Sequence, residues 1–175
     1  MERVKDELDT LSQLELTPLD TPEPELSYLF KHIVTREVTY ESLPYATRSR
    51  LHEQLAQFIE GLGGDSYLDL LAYHYGLTEN RDKQREYFPE AGEAAYAAFA
   101  NDAALDYYAR VLPLLDEPSA QIDIYIRRGE ILELTGRWSE AESEYHIALD
   151  LTSGETNDAA RIHYLLARIA NSQSD

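Results

Sequence analysis

Residues 125–148 read YIRRGEILELTGRWSEAESEYHIA, two amphipathic runs on either side of Gly136. Tyr125, Gly129 and Leu132 follow one another at helical spacing as large, small and large, and Ala141 and Tyr145 set a small residue one turn before an aromatic one on the second run. The pattern has a physical cause. Gly129 and Ala141 carry almost no side chain, so two antiparallel helices can approach closely at those positions. Tyr125, Leu132, Trp138 and Tyr145 are then expected to fill the space above and below. Gly136 suits the turn between the helices, because a helix that ends on a left-handed residue favours glycine there.

The same pattern recurs on both sides. Upstream, Gly92, Ala95, Ala104 and Tyr108 repeat Gly129, Leu132, Ala141 and Tyr145, with 12 positions from glycine to second-helix alanine in each case and 37 between the glycines. Downstream, a third unit starts at Asn157, where Leu166, Ala167 and Ala170 are assigned to the first helix. Residues 122–155 resemble one good tetratricopeptide repeat, a helix-turn-helix unit with a period of about 34 residues, and residues 85–118 and 157–175 resemble weaker ones. Three residues depart from the pattern: Pro89 interrupts a helix read over 82–99, Arg128 stands for the usual leucine and Ser153 for the usual proline. The fold class that follows is all-α, an array of antiparallel hairpins (an α-solenoid) over residues 33–175. Six or seven helices are expected from Ile33 to Ala170. Such arrays bind partners rather than catalyse.

Residues 1–32 read differently. Val4, Leu8 and Leu11 lie at helical spacing; Leu14, Leu16 and Leu19 then alternate with polar residues as a strand would. The run DTPEPE at 20–25 reads as a turn, because its two prolines can continue neither a helix nor a ladder. LSYLF from Leu26 reads as the return strand of a small β-hairpin. From Ile33 an apolar stripe of Val34, Val38 and Leu43 is broken at Pro44, resumes at Leu51, Leu55, Phe58 and Ile59, and stops at GLGG.

The run FKHIVTREVTYESLPYATRSRLHEQLAQFIE at 30–60 resembles a junction in signal-transduction ATPases with numerous domains, the group often fused to adenylate cyclase domains or transcription regulators. There a winged helix ends in a strand bearing an aromatic, a basic residue and a histidine, matched here by Phe30, Lys31 and His32. A helix with a valine, tyrosine, glutamate, serine and leucine core follows, matched by Val38, Tyr40, Glu41, Ser42 and Leu43. The resemblance implies that residues 1–32 are the last part of a winged-helix module, that helical hairpins follow, and that the chain looks like a piece of a longer protein. It also implies that His32 contacts the β-phosphate of ADP held on an upstream ATPase core, a contact a helix N-terminus would favour. The other reading of His32 is a plain cap on the helix that starts at Ile33.

Composition narrows the remaining classes. With 175 residues, 43% apolar, no cysteine and a net charge of −18, the chain can build one or two packed units but no disulfide or thiolate metal site. Its charge repels nucleic acid and anionic lipid, so neither is an expected partner. No apolar run approaches the roughly 18 residues that span a bilayer, and the first nine residues are too charged for a signal peptide, which points to the cytoplasm. No phosphate-binding loop, HExxH, GxSxG or Ca²⁺ loop occurs. No enzyme and no cofactor are therefore expected in this chain, and ADP or ATP only on an upstream core. The 13 tyrosines should be about half core. Tyr96, Arg127 and Arg128 are the candidates for contact with a protein or peptide in the groove formed by first helices. The function expected is a regulatory, protein-binding segment of a signalling ATPase; the alternative is a freestanding adaptor.

Overall fold

Two units make up the computed structural model, which describes residues 2–21, 27–154 and 156–172; the first ends at Leu51 and the second begins at His52. The first opens with α1 (Glu2–Gln13). This helix closes on Glu15, which takes a left-handed φ of 56°. The Leu16 amide donates to the Leu11 carbonyl at 3.0 Å and the Glu15 amide to Ser12 at 2.9 Å, the paired bonds of a Schellman cap. Leu14 and Leu16, expected in a strand, therefore belong to the helix cap, because the cap satisfies carbonyls that α1 would otherwise leave open.

The ladder is correspondingly short. β1 (Leu19–Thr21) and β2 (Ser27–Tyr28) pair antiparallel, with Leu19 opposite Tyr28 and Thr21 opposite Ser27 across an irregular step. Leu29 bonds back to Pro18 at 3.1 Å and Lys31 to Leu16 at 3.0 Å. Asp20 and Thr21, expected in the turn, lie in β1; the rest of that turn, with Leu26, falls in 22–26, outside the described residues. The Tyr28 hydroxyl donates to Asp9 at 2.7 Å and so ties the hairpin to α1. α2 (Ile33–Ser42) follows. It ends because the residue before a proline is driven out of helical geometry: Leu43 sits at φ −75°, ψ 134°, and α3 (Tyr45–Gly61) starts afresh beyond Pro44. The expected boundary at 32/33 is thus the start of α2, whereas the division between units comes within α3.

Beyond the glycine stop and a 3-10 turn at Gly64–Tyr67, the second unit runs through α4 (Leu68–Gly76), α5 (Arg81–Ala97), α6 (Asn101–Val111), α7 (Pro118–Leu134), α8 (Trp138–Leu151) and α9 (Asn157–Ser172). Eight α-helices therefore lie from Ile33 onward among the described residues, rather than six or seven, since Pro44 makes two of one run. Local chemistry sets the ends: Asn80 accepts the Lys83 amide at 3.2 Å as an N-cap, and Pro118 opens α7 where a missing amide costs nothing. Pro89 lies inside α5, which continues through it as one helix. The described residues are mostly helical, with one small two-stranded sheet among them.

α5 with α6, and α7 with α8, form antiparallel pairs joined by the same turn. Arg137 donates to Leu132 at 2.8 Å and Gly136 to Glu133 at 3.0 Å, while Ala100 donates to Ala95 and Phe99 to Tyr96, both at 2.9 Å. Gly136 has φ 74°, as the sequence led one to expect; Phe99 takes φ 60° in the equivalent place without glycine's freedom. One apolar cluster joins α3 to α6 through Ala56, Leu71, Tyr75, Phe88 and Val111, and another joins α7 to α9 through Ile126, Leu132, Tyr145, Ile162 and Ile169. Ala104, Tyr108 and Ile131 link the two. Each fully buried isoleucine is worth about 1.5–3 kcal/mol.

Two assignments change. Trp138 is exposed at the first position of α8 instead of filling the hairpin. On α9 the buried stripe is Ile162, Leu165 and Ile169, while Ala167 and Ala170 are exposed, because the bulkier aliphatic side turns inward.

Candidate functional site

First helices meet along a groove of about 460 Å³ lined by Pro89, Glu90 and Glu93 of α5, Asp123, Ile124, Arg127 and Glu130 of α7, Tyr108 of α6 and Arg161 of α9. The helical period explains the lining. Positions 90, 93 and 96 share one face of α5, and positions 123, 127 and 130 share one face of α7. Tyr96 and Arg127, both expected from the sequence, come together here: the guanidinium lies 5.5 Å from the ring centroid, a cation–π contact. Arg127 also bonds Glu93 at 3.2 Å and Glu130 at 3.4 Å, and Arg161 reaches Glu130 at 3.1 Å. The Tyr108 hydroxyl donates to Glu93 at 3.0 Å from beneath.

Arg128 does not join them. It points to α8 and pairs with Glu144 at 2.8 Å, with side chains only 21% and 13% exposed. Burial, opposed by Arg128 and reinforced by Glu140, holds the Glu144 carboxyl above its usual range. His32 stands at the N-cap of α2 in extended geometry, exposed, with no side-chain bond to the helix amides. The imidazole is therefore not spent on capping.

The sequence analysis did not single out Glu90, Glu93, Asp123, Glu130 or Arg161. A signal existed for three of them: the 37-residue offset that equates Gly92 with Gly129 also equates Glu90 with Arg127 and Glu93 with Glu130, so Glu90 and Glu93 take on α5 the face that Arg127 and Glu130 take on α7.

A second polar cluster lies between α3, α4 and α5. Glu60 accepts the Tyr87 hydroxyl at 2.6 Å and pairs with Lys83 at 2.9 Å, and the rings of Tyr75 and Tyr87 stack 5.4 Å apart. Burial, then the bond to Glu60, pushes both phenols above their usual value, and Lys83 is raised by its bonds to Glu60 and Glu86. All three stay protonated near neutrality, which suits packing rather than proton transfer. Five of the 13 tyrosines, Tyr75, Tyr87, Tyr107, Tyr108 and Tyr145, are buried, somewhat fewer than the half expected. Among the described residues no group of three or more His, Asp or Glu could hold a metal ion, and no helix is long and apolar enough to cross a membrane. No protein-family model matches the chain, and no curated protein matches it.

Proposed function

We propose that the chain is a non-catalytic, cytoplasmic, protein-binding array of tetratricopeptide-like hairpins that receives a peptide segment of a partner in the groove along α5, α7 and α9. The observation that carries this reading is the groove itself, about 460 Å³, with Tyr108 and Arg127 in its lining and Arg127 fixed as a cation 5.5 Å from the ring centroid of Tyr96. Aromatic and arginine side chains in a concave site are the usual anchors of a protein interface. The repeated Gly92–Tyr108 and Gly129–Tyr145 contacts support the repeat reading. A titration of ¹⁵N-labelled protein with a pool of short peptides of mixed charge tests it. Amide shifts concentrated on α5, α7 and α9, and lost in Arg127→Ala at unchanged Tm, are expected; shifts spread evenly over the surface, or none, overturn it.

By its resemblance the array would serve as the regulatory arm of a signalling ATPase, relaying partner binding to nucleotide state. The observation favouring that extension is His32, exposed at the start of α2 with its side chain unspent on capping. One imidazole and one helix start do not fit a nucleotide by themselves, and the sequence holds no phosphate-binding loop. The isolated chain is therefore expected not to retain ADP. In a polypeptide that also carries the ATPase core, His32→Ala is expected to speed ADP release by roughly ten- to a hundredfold, the worth of one charge-assisted hydrogen bond. Equal off-rates leave the freestanding adaptor.

A further inference from the structure

Much of the apolar run on α3 stays outside the core. From His52 onward the helix turns one side inward: Ala56 and Ile59 are buried in the cluster with Leu71, Ala72 and Tyr75, Glu53 accepts the Asn80 side-chain amide at 3.0 Å, and Glu60 is held by Tyr87 and Lys83. The other side is left open. Leu55 and Phe58, with Leu62 just beyond the helix end and Leu70 and Tyr73 of α4, are between 43% and 64% exposed. Leu70 and Tyr73 lie one turn apart, and the Tyr73 ring stands edge-on to His52, 6.2 Å between centroids, one turn before Leu55. From Gln54 to the end of α3 the exposed residues are Gln54, Leu55, Gln57, Phe58 and Gly61. None of them is charged, in a chain that carries −18. Asp69, the acid beside Leu70, is turned to α6, where it accepts the Tyr107 hydroxyl.

We infer that this face of α3 and α4 is where two copies of the chain pair about a two-fold axis. At roughly 150–250 Å² for a large side chain, the five leave on the order of 500 Å² of apolar surface in water, the upper end of what a monomer usually exposes in one patch. Paired with itself, the face removes on the order of 1,000 Å² from water, about the minimum a specific interface needs, before the glutamines are counted. Charge selects the same occupant. A two-fold contact sets a surface against its own copy, so a carboxylate-rich face of this chain would bring like charges together, at a cost this face avoids. Gln54 and Gln57 suit such a contact, because a carboxamide both donates and accepts and can pair with its own copy, which a carboxylate cannot. No residue of the face lines the groove, so the pairing is independent of the peptide reading.

The test is sedimentation velocity on the whole chain across a wide range of concentration, with Phe58→Glu, Leu62→Glu and, as a control, Tyr164→Glu at an exposed position on α9. The wild type is expected to pass from monomer to dimer as concentration rises. Either face variant should raise the dissociation constant by about a hundredfold, because each glutamate enters the contact twice, and Tyr164→Glu should leave it unchanged. Diluting ¹⁵N-labelled wild type should shift the amides of 54–62 and 70–73 and leave those of α9 in place, a readout that needs no variant. A monomer at every concentration overturns the proposal: a Tm lowered by Phe58→Glu would then mean that the face is covered from within the chain, and an unchanged Tm that a different apolar partner takes it. A dimer weakened by Tyr164→Glu and not by Phe58→Glu places the contact on α9 and overturns it too, as does a dimer that none of the three weakens. Equal weakening by all three also overturns it, leaving only general repulsion between acidic chains.

Discussion

The ring of Tyr145 occupies the space that a methyl group on Gly129 would need, and Tyr108 stands over Gly92 in the same way, its Cε1 2.8 Å from the position such a methyl would take. Each hydroxyl then donates to a glutamate on the glycine's own helix, Tyr145 to Glu133 at 2.7 Å and Tyr108 to Glu93 at 3.0 Å. The glycine is thus a seat for the ring. Because Tyr145 is fully buried, it cannot swing away into solvent. Gly129→Ala should cost about 1–3 kcal/mol through overpacking, read as a lower urea midpoint at unchanged slope. Gly61→Ala, where nothing lies within 4 Å of the added methyl, should not be overpacked. Equal losses at both positions would count against a seat.

Phe99 offers the opposite case. It occupies the left-handed cap position with φ 60° and is 83% exposed, so the side chain gains little packing to offset the backbone cost. Phe99→Gly should relieve roughly 1–2 kcal/mol of left-handed strain, less the added freedom of the unfolded glycine. A net gain of about 0.5–1 kcal/mol and a higher Tm are expected. A lower Tm would mean that the ring holds the turn.

The pair Arg128–Glu144 is joined through one prong only, since Arg128 Nε and Glu144 Oε2 are buried without a hydrogen-bond partner. Glu144→Leu should leave Arg128 stranded and cost about 2 kcal/mol. Arg128→Leu/Glu144→Leu should recover that loss or exceed wild type, because leucine is the residue such a position expects and both desolvation costs disappear. A double-mutant cycle with additive losses would contradict this.

Acid should loosen the contact between α3 and α4. His52 Nδ1 and His74 Nδ1 are 2.8 Å apart, a bond that needs one ring to donate and the other to accept. Burial, and then the charge of His52, holds the His74 imidazole below its usual 6.5. The unfolded chain therefore takes up that proton first, and the folded state is favoured above about pH 6.5 and progressively less as pH falls through the lowered value. The difference in Tm between pH 7.5 and pH 5.5 should be smaller in His74→Asn than in wild type. An unchanged difference would show that the pair does not report pH.

Much of the fold was legible because its causes are local. Pro44 forbids helical geometry at Leu43 wherever the chain goes, Gly136 supplies the left-handed cap, and the 37-residue offset reproduces the same glycine, alanine and tyrosine in two hairpins. The errors have local causes too. Leu14 and Leu16 alternate with polar residues, but Glu15 adopted a cap that ordinarily takes glycine. Phe99 hid its cap for the same reason. On α9 small residues suggested a seam, although Ile162, Leu165 and Ile169 offered more area to bury.

The sequence by itself determined where the helices start and stop and which small residues let them approach, because periodicity and turn chemistry act within a few neighbouring residues. Only the tertiary structure decided what the charged side chains do. Arg127 and Arg128 are adjacent and chemically identical, and no local rule tells them apart. About 100° of rotation on α7 turns one toward the groove, where it lies over Tyr96, and the other toward α8, where Glu144 holds it. Which face meets which neighbour depends on how the hairpins stack, a property of contacts made between residues far apart in the chain.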